Sequence, residues 1–244
     1  MKLKELLSLL DTISPFELQE KWDNSGLQVG DPQKEVGKIY VAIDIDSEMV
    51  DALEPKSVVI THHPLIFSKL SSLSYEDYPA KLIVKLIQKE IAHIAMHTNF
   101  DKTHLNRYVA REVLGIEPEC EEFVCLFEKR GSFDELVRWV SQKLNLTCPR
   151  VVERSEAIQK VALTTGSGGS LIGTVKADLF LTGDLKYHDA IKAKELGLGV
   201  IDIGHFESER YFAEALLEQL KKHQIEAIIA PIKNPIKVWN ETIH

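Results

Sequence analysis

Leucine recurs at positions 3, 6, 7 and 10, a spacing that lays all four on one helical face and predicts a helix ending near Ile13. Ser14 and Pro15 read as an N-cap and a first helical proline, opening a short helix through Glu20. Trp22 to Asp31 is dense in turn residues but also carries Trp22, Leu27 and Val29, which predicts an ordered, packed loop. Lys38 to Asp44 reads as a strand ending in an acid, and Ser47 as the cap of a helix from Glu48 to Leu53. Val58, Val59 and Ile60 form the β-branched run of a buried strand, which leads into Thr61-His62-His63-Pro64. After a Ser- and Tyr-rich loop from Ser68 to Tyr78, Pro79 opens a helix with Leu82, Ile83, Leu86 and Ile87 on one face. Ile91 to Met96 is a third strand, and a helix from His104 to Leu114 stops at Gly115. A strand over Phe123 to Phe127 and a helix over Phe133 to Leu144 follow.

The pattern then returns. Lys160 to Leu163 resembles Tyr40 to Ile43, Asp178 to Asp184 resembles Ser57 to His63, and Gly199 to His205 resembles Ile91 to His97. Phe206 to Arg210 leads into a helix through Gln219, Glu226 to Ile232 is a last strand, and Asn234-Pro235 is a turn. The repeat predicts an α/β fold of two related halves, residues 1–125 and 126–244, each a sheet flanked by helices.

Composition narrows the class. The chain has 244 residues, 44% hydrophobic and 27% charged, which suits a folded domain with a sizeable core. The net charge of −8 disfavours general nucleic-acid binding. The N-terminal segment has Glu5 and no long apolar core, unlike a signal peptide, and no stretch is long enough to span a membrane. Cys120, Cys125 and Cys148 form no C-x-x-C pair, so free thiols in a reducing cytoplasm are the simplest expectation.

The candidate chemistry collects at strand ends. In open α/β sheets, the loops beyond the carboxyl ends of strands hold the ligand crevice. His62 and His63 follow one strand, His97 and Asp101 another, His205 and Glu209 a third. Adjacent strand residues point to opposite faces, so His62 and His63 need a bent backbone to converge. The spacing H-x-x-x-D/E puts imidazole and carboxylate on one face of a helical turn. A donor set of histidines and carboxylates without thiolate suits zinc, iron or manganese. Five or six donors exceed the three of a single catalytic zinc. They fit two divalent ions roughly 3.5–4 Å apart, bridged by Glu209, that activate a water. The two halves would then face each other across a dinuclear metal site. Asp184, Lys186 and His188 lie beyond another strand and could support the metal ligands or move protons. The Gly166–Ser170 loop could present N–H groups to a phosphate or be a plain tight turn; it matches neither a Walker loop nor G-x-G-x-x-G, since position 171 is Leu. His93, His104, His223 and His244 carry no functional expectation.

Five blocks in this order resemble the Nif-three-like family, whose members are often labelled GTP cyclohydrolase I type 2 homologues. They are Trp22-Asp23-Asn24-Ser25-Gly26-Leu27-Gln28-Val29-Gly30, Thr61-His62-His63-Pro64-Leu65, His97-Thr98-Asn99-Phe100-Asp101, Thr182-Gly183-Asp184-Leu185-Lys186-Tyr187-His188 and Gly204-His205-Phe206-Glu207-Ser208-Glu209. The resemblance covers essentially the whole chain. It implies a dinuclear site with His62, His63, Asp101, His205 and Glu209 as ligands, Glu209 touching both ions and His97 close by. It further implies a homohexameric ring built from dimers, and the absence of a domain inserted in longer relatives. Three functions follow as expectations. One is a metal-dependent hydrolase in which activated water attacks a nucleotide-like substrate, as at C8 of GTP, with His97 or His188 shuttling protons. The second is a non-catalytic metal or cofactor carrier, and the third a ring-shaped interaction or nucleic-acid scaffold.

Overall fold

The structure is a computed structural model and describes residues 1–238. His244 and the end of the second predicted half lie outside them. The strands are β1 (Gly26–Val29), β2 (Ile39–Ala42), β3 (Val58–Thr61), β4 (Ala92–Ala95), β5 (Glu119–Glu121), β6 (Val124–Gly131), β7 (Arg150–Val152), β8 (Ile158–Ser167), β9 (Leu179–Gly183), β10 (Gly199–Asp202) and β11 (Ile228–Ile229). The helices used below are α1 (Leu3–Ile13), α2 (Ser47–Ala52), α3 (Ala80–Gln88), α4 (Phe133–Leu144), α5 (Tyr187–Glu195), α6 (His205–Glu209) and α7 (Phe212–Lys222). Short α and π turns also alternate over residues 98–113.

The chain divides into two compact units. One comprises Met1–His104 and Tyr211–Ile232; the other comprises Leu105–Arg210 and the described residues from Lys233 onward. This partition differs from the expected division after residue 125, because the chain returns to the first unit near its end. There β11 pairs in parallel with β2, Ile228 opposite Tyr40, and the Ala230 N–H donates to the Val41 carbonyl at 2.9 Å.

The first unit has a sheet of order β1-β4-β3-β2-β11. Its central strands β2, β3 and β4 are parallel. β3 and β4 are buried throughout, and the run Val58-Val59-Ile60 has the β-branched composition that such strands favour. Ala42, Val50, Val59, Leu86 and Ile91 share one core. In α1, Leu3, Leu6 and Leu10 are buried, as the leucine spacing predicts. In α3, Leu82, Ile83 and Leu86 are buried, while Ile87 is exposed and Val84 buried instead. The apolar stripe is thus turned by one residue from the predicted face. The Trp22–Asp31 stretch is not all loop. Gly26, at φ +112, turns the chain into β1, whose Leu27 then pairs with Ile94 of β4. Turn-forming residues conceal that strand in the sequence, and Trp22 is exposed rather than packed.

The second unit has a sheet of order β5-β6-β8-β9-β10-β7. Again three consecutive strands, β8, β9 and β10, run parallel, and an antiparallel strand (β7, as β1 in the first unit) flanks the third. The segment repeat read from the sequence is therefore a repeat of strand order: β2, β3 and β4 correspond to β8, β9 and β10. Ala162, Phe180, Ala193 and Val200 form this unit's core. Cys120 and Cys125 stand opposite each other in the β5–β6 hairpin and are joined by a disulfide. This corrects the expectation of free thiols, which holds for Cys148 alone among the three. Cross-strand register brings the two sulfurs together where spacing alone gave no signal. No described helix is long and apolar enough to cross a membrane.

Candidate metal centre

The first unit brings His62, His63 and His97 together. Their ring centroids lie 5.0–5.4 Å apart. One ligand atom from each lies within 4.8 Å of the others. The bend that lets neighbouring histidines converge is visible in the backbone. The N–H groups of His62 and His63 both donate to the Ile43 carbonyl at 3.2 Å. Thr61 Oγ1 donates to the His63 carbonyl at 2.6 Å, closing the turn from its side chain. With that hydrogen committed, the His93 Nε2–H donates to Thr61 Oγ1 at 2.7 Å. His93 is fully buried, and burial pushes its pKa down to about 3, so it is a neutral structural residue.

Each donor ring is fixed through the same atom. His62 Nδ1–H donates to the Met96 carbonyl at 2.9 Å, His63 Nδ1–H to Asp44 at 2.7 Å, and His97 Nδ1–H to Asp23 at 2.7 Å. Held through Nδ1, each ring presents Nε2 on its other edge, the arrangement in which a second acceptor orients an imidazole metal ligand. Asp101 comes from the helical turn that starts at His97. Its N–H donates to the His97 carbonyl at 3.0 Å, and its Oδ1 lies 3.4 Å from His62 Nε2. The spacing of four thus works as one turn. Phe212 packs against the His62 ring at 5.0 Å and supports it from α7.

Asp23 anchors more than His97. Burial would raise its pKa, but the hydrogen bond and charge of His97, with hydrogen bonds from Thr98 and Asn24, outweigh that and hold it well below the usual carboxylate range. The His97 N–H also donates to Ser25 Oγ at 3.1 Å. The Trp22–Gly30 block is therefore a support for His97 as well as a turn.

In the second unit, His205 and Glu209 lie one turn apart in α6, with Nε2 2.9 Å from Oε2. His205 Nδ1–H donates to Asp184 at 2.7 Å, which repeats the pattern of the first unit. Asp202 arranges these loops: it pairs with Arg150 and accepts from the N–H groups of Leu185 and Gly204. Gly166, at φ +62, closes over Glu209, and a Cβ there would stand 1.9 Å from Oε1. The glycine-rich loop packs on Glu209 in this way, and two of its N–H groups are committed to side-chain hydroxyls. The Gly166 N–H goes to Ser208 Oγ at 3.0 Å and the Gly168 N–H to Thr182 Oγ1 at 2.8 Å.

The predicted donors thus fall into two sets: His62, His63, His97 and Asp101 in one unit, His205 and Glu209 in the other. The three histidines of the first set could by themselves hold a metal ion, since their ring nitrogens converge and imidazole matches divalent transition metals. His188 sits exposed on the first turn of α5, its ring edge-on to Tyr187 at 5.3 Å, and is not part of the His205 hydrogen-bonded set. Sequence reasoning missed Asp23 and Asp44 as the partners of His97 and His63. The strand-ending acid at position 44 was the available signal.

The sequence matches the family Duf34/NIF3 (NGG1p interacting factor 3) over residues 1–235. A Campylobacter jejuni protein named GTP cyclohydrolase 1 type 2 homolog is 44% identical, covering 98% of this chain and all of the relative. A Helicobacter pylori (strain J99) protein named GTP cyclohydrolase 1 type 2 is 40% identical over 97% of this chain and 98% of its own. Among solved structures, the Staphylococcus aureus hypothetical protein SA1388 superposes with a TM-score of 0.85 at 27% identity, covering 98% of this chain and 99% of that one. Reduced HcgD from Methanocaldococcus jannaschii gives 0.80 at 29% identity, over 95% and 98%.

Proposed function

We propose, from the premise that this chain belongs to the Duf34/NIF3 family, that it is a metal-dependent hydrolase acting on a nucleotide-like substrate. On the family resemblance, His62, His63, Asp101, His205 and Glu209 would be the residues that hold two divalent metal ions. The observation that carries this reading is the shared state of the histidines. His62, His63 and His205 each give Nδ1–H to a fixed acceptor, which turns Nε2 toward the neighbouring donor atoms, that of His62 toward Asp101 and that of His205 toward Glu209. That both donor sets serve one pair of ions rests on the family resemblance. Bound divalent ions supply Lewis acidity and activate water near neutral pH.

The chain's own residues do the rest. Met96, Asp44 and Asp184 keep three rings in one tautomer and orientation. Asp23 does the same for His97, whose Nε2 is then placed to accept or return a proton beside His62 and His63. The names of the C. jejuni and H. pylori relatives support a nucleotide substrate. The working form is a cytoplasmic homohexamer, a point that sedimentation of the purified protein tests directly.

The deciding experiment is elemental analysis of protein purified without added metal or chelator, followed by an assay of GTP consumption. About two ions per chain, with turnover lost in Asp101→Ala and Glu209→Ala, is the expected result. Two ions without turnover of any nucleotide would replace the hydrolase with a metal carrier. No metal even after reconstitution would overturn the reading.

A further inference from the structure

Two large aromatic rings stand exposed beside the histidine cluster. Trp22 is 58% exposed and Phe67 52%, and their centroids lie 5.8 Å apart. Both also face His97 edge-on, at 6.1 and 6.3 Å. Each ring follows or precedes a residue that is firmly held. Asp23, next to Trp22, takes hydrogen bonds from His97, Thr98 and Asn24. Ile66, next to Phe67, has both backbone groups engaged: its carbonyl accepts from Asn24 Nδ2 at 2.6 Å and its N–H donates to Gln28 Oε1 at 3.2 Å. Asn24 and Gln28 thus tie the Phe67 loop to the Trp22 loop. An exposed indole and phenyl held in fixed register resemble a recognition surface more than a packing remainder.

The geometry limits what can bind. Stacked rings need about 4.5 Å or more between centroids, so a third ring cannot enter between two that are 5.8 Å apart. A ligand ring must pack on their exposed surfaces. Phe67 also forms one wall of a cavity of about 480 Å³, a volume that suits a small organic ligand. Ser68, Ser71 and Ser72 supply hydroxyls to it, Lys69 its cation and Asp77 its carboxylate. Flat aromatic surface next to a hydroxyl-rich cavity matches a molecule with a planar ring at one end and a sugar-like polar part at the other.

We propose that Trp22 and Phe67 are a stacking platform for the base of a nucleoside or nucleotide, whose polar remainder occupies the cavity beyond Phe67. This rests on the metal-dependent reading above and names the residues that select its substrate. Stacking tolerates any base, since each has a π-face, so the platform confers affinity for heteroaromatic rings rather than for one base.

The test is calorimetric binding of guanosine, adenosine and cytidine triphosphates, and of ribose 5-phosphate as a probe without a base, to the full metal-loaded chain. Trp22→Ala is expected to weaken nucleotide binding by about 5- to 150-fold, the range for stacking on one aromatic side chain. Trp22→Phe should restore most of it, and ribose 5-phosphate should bind equally to all three proteins. Elemental analysis on the same samples should give unchanged metal content. Equal nucleotide affinity in Trp22→Ala with metal retained, or no nucleotide binding by the unsubstituted metal-loaded protein, overturns the platform and leaves the metal site standing. Absence of metal from the unsubstituted protein instead defeats the reading on which it rests. If Trp22→Ala changes the sedimentation of the protein, the rings belong to an interface between copies, and the platform is likewise overturned.

Discussion

At the scale of single residues, the histidines of the candidate site each depend on an acceptor from another part of the chain. His62 and His63 stand together at one strand end, and His97–Asp101 and His205–Glu209 follow two others in helical spacing, all visible in the sequence. Asp44 and Asp23 lie 19 and 74 positions from the histidines they hold, and only the fold joins them. Asp44→Ala and Asp184→Ala should each lower metal affinity about 10- to 100-fold with little change in fold, measured by competition with a chelator. Gly166→Ala should be more severe for its size. Its new Cβ meets the Glu209 carboxylate, and its φ of +62 disfavours any side chain. Purified Gly166→Ala should carry less metal, while circular dichroism shows the fold retained. His93 predicts a pH response of another kind. Its folded pKa, depressed from 6.5 to about 3, means that only the unfolded chain takes up the proton between those values. The stability it contributes is complete above pH 6.5 and falls toward pH 3, by about 1.4 kcal/mol per pH unit. Urea midpoints measured across this window should fall less steeply in His93→Gln, which can still donate to Thr61.

At the scale of elements, what is local was readable. α4 occupies the predicted residues because its signals are adjacent: Ser132 Oγ accepts from the Glu135 N–H, and Glu135 returns a bond to the Ser132 N–H at 2.8 Å. Ser132→Ala should cost about 1 kcal/mol in denaturant unfolding. β1 was hidden because turn residues crowd it on both sides, and its antiparallel pairing with β4 is what makes it a strand. The stripe of α3 was turned from expectation because Ile87 and Val84 are equally apolar, and packing rather than composition chose between them. The Cys120–Cys125 bond escaped for a related reason: it depends on the register of a hairpin, which three cysteines without a motif do not reveal.

At the scale of the molecule, the sequence showed the repeat but not the route of the chain. The last strand was recognisable as a strand, yet nothing near Ile228 says that its partner is Tyr40. Ala230→Pro tests that closure, because it removes the N–H that reaches Val41 and uncovers the edge of β2. A lower melting temperature with increased light scattering is expected. The returning segment has a further consequence during synthesis. The second unit is drawn almost wholly from one uninterrupted stretch, so it can complete its sheet while translation is still under way. The first unit is begun earlier and finished later: β2 must wait, its edge open, until some 185 further residues have left the ribosome, roughly ten to forty seconds at ordinary elongation rates. For that interval the nascent chain carries an unpaired parallel edge and a His62 ring without Phe212 beneath it.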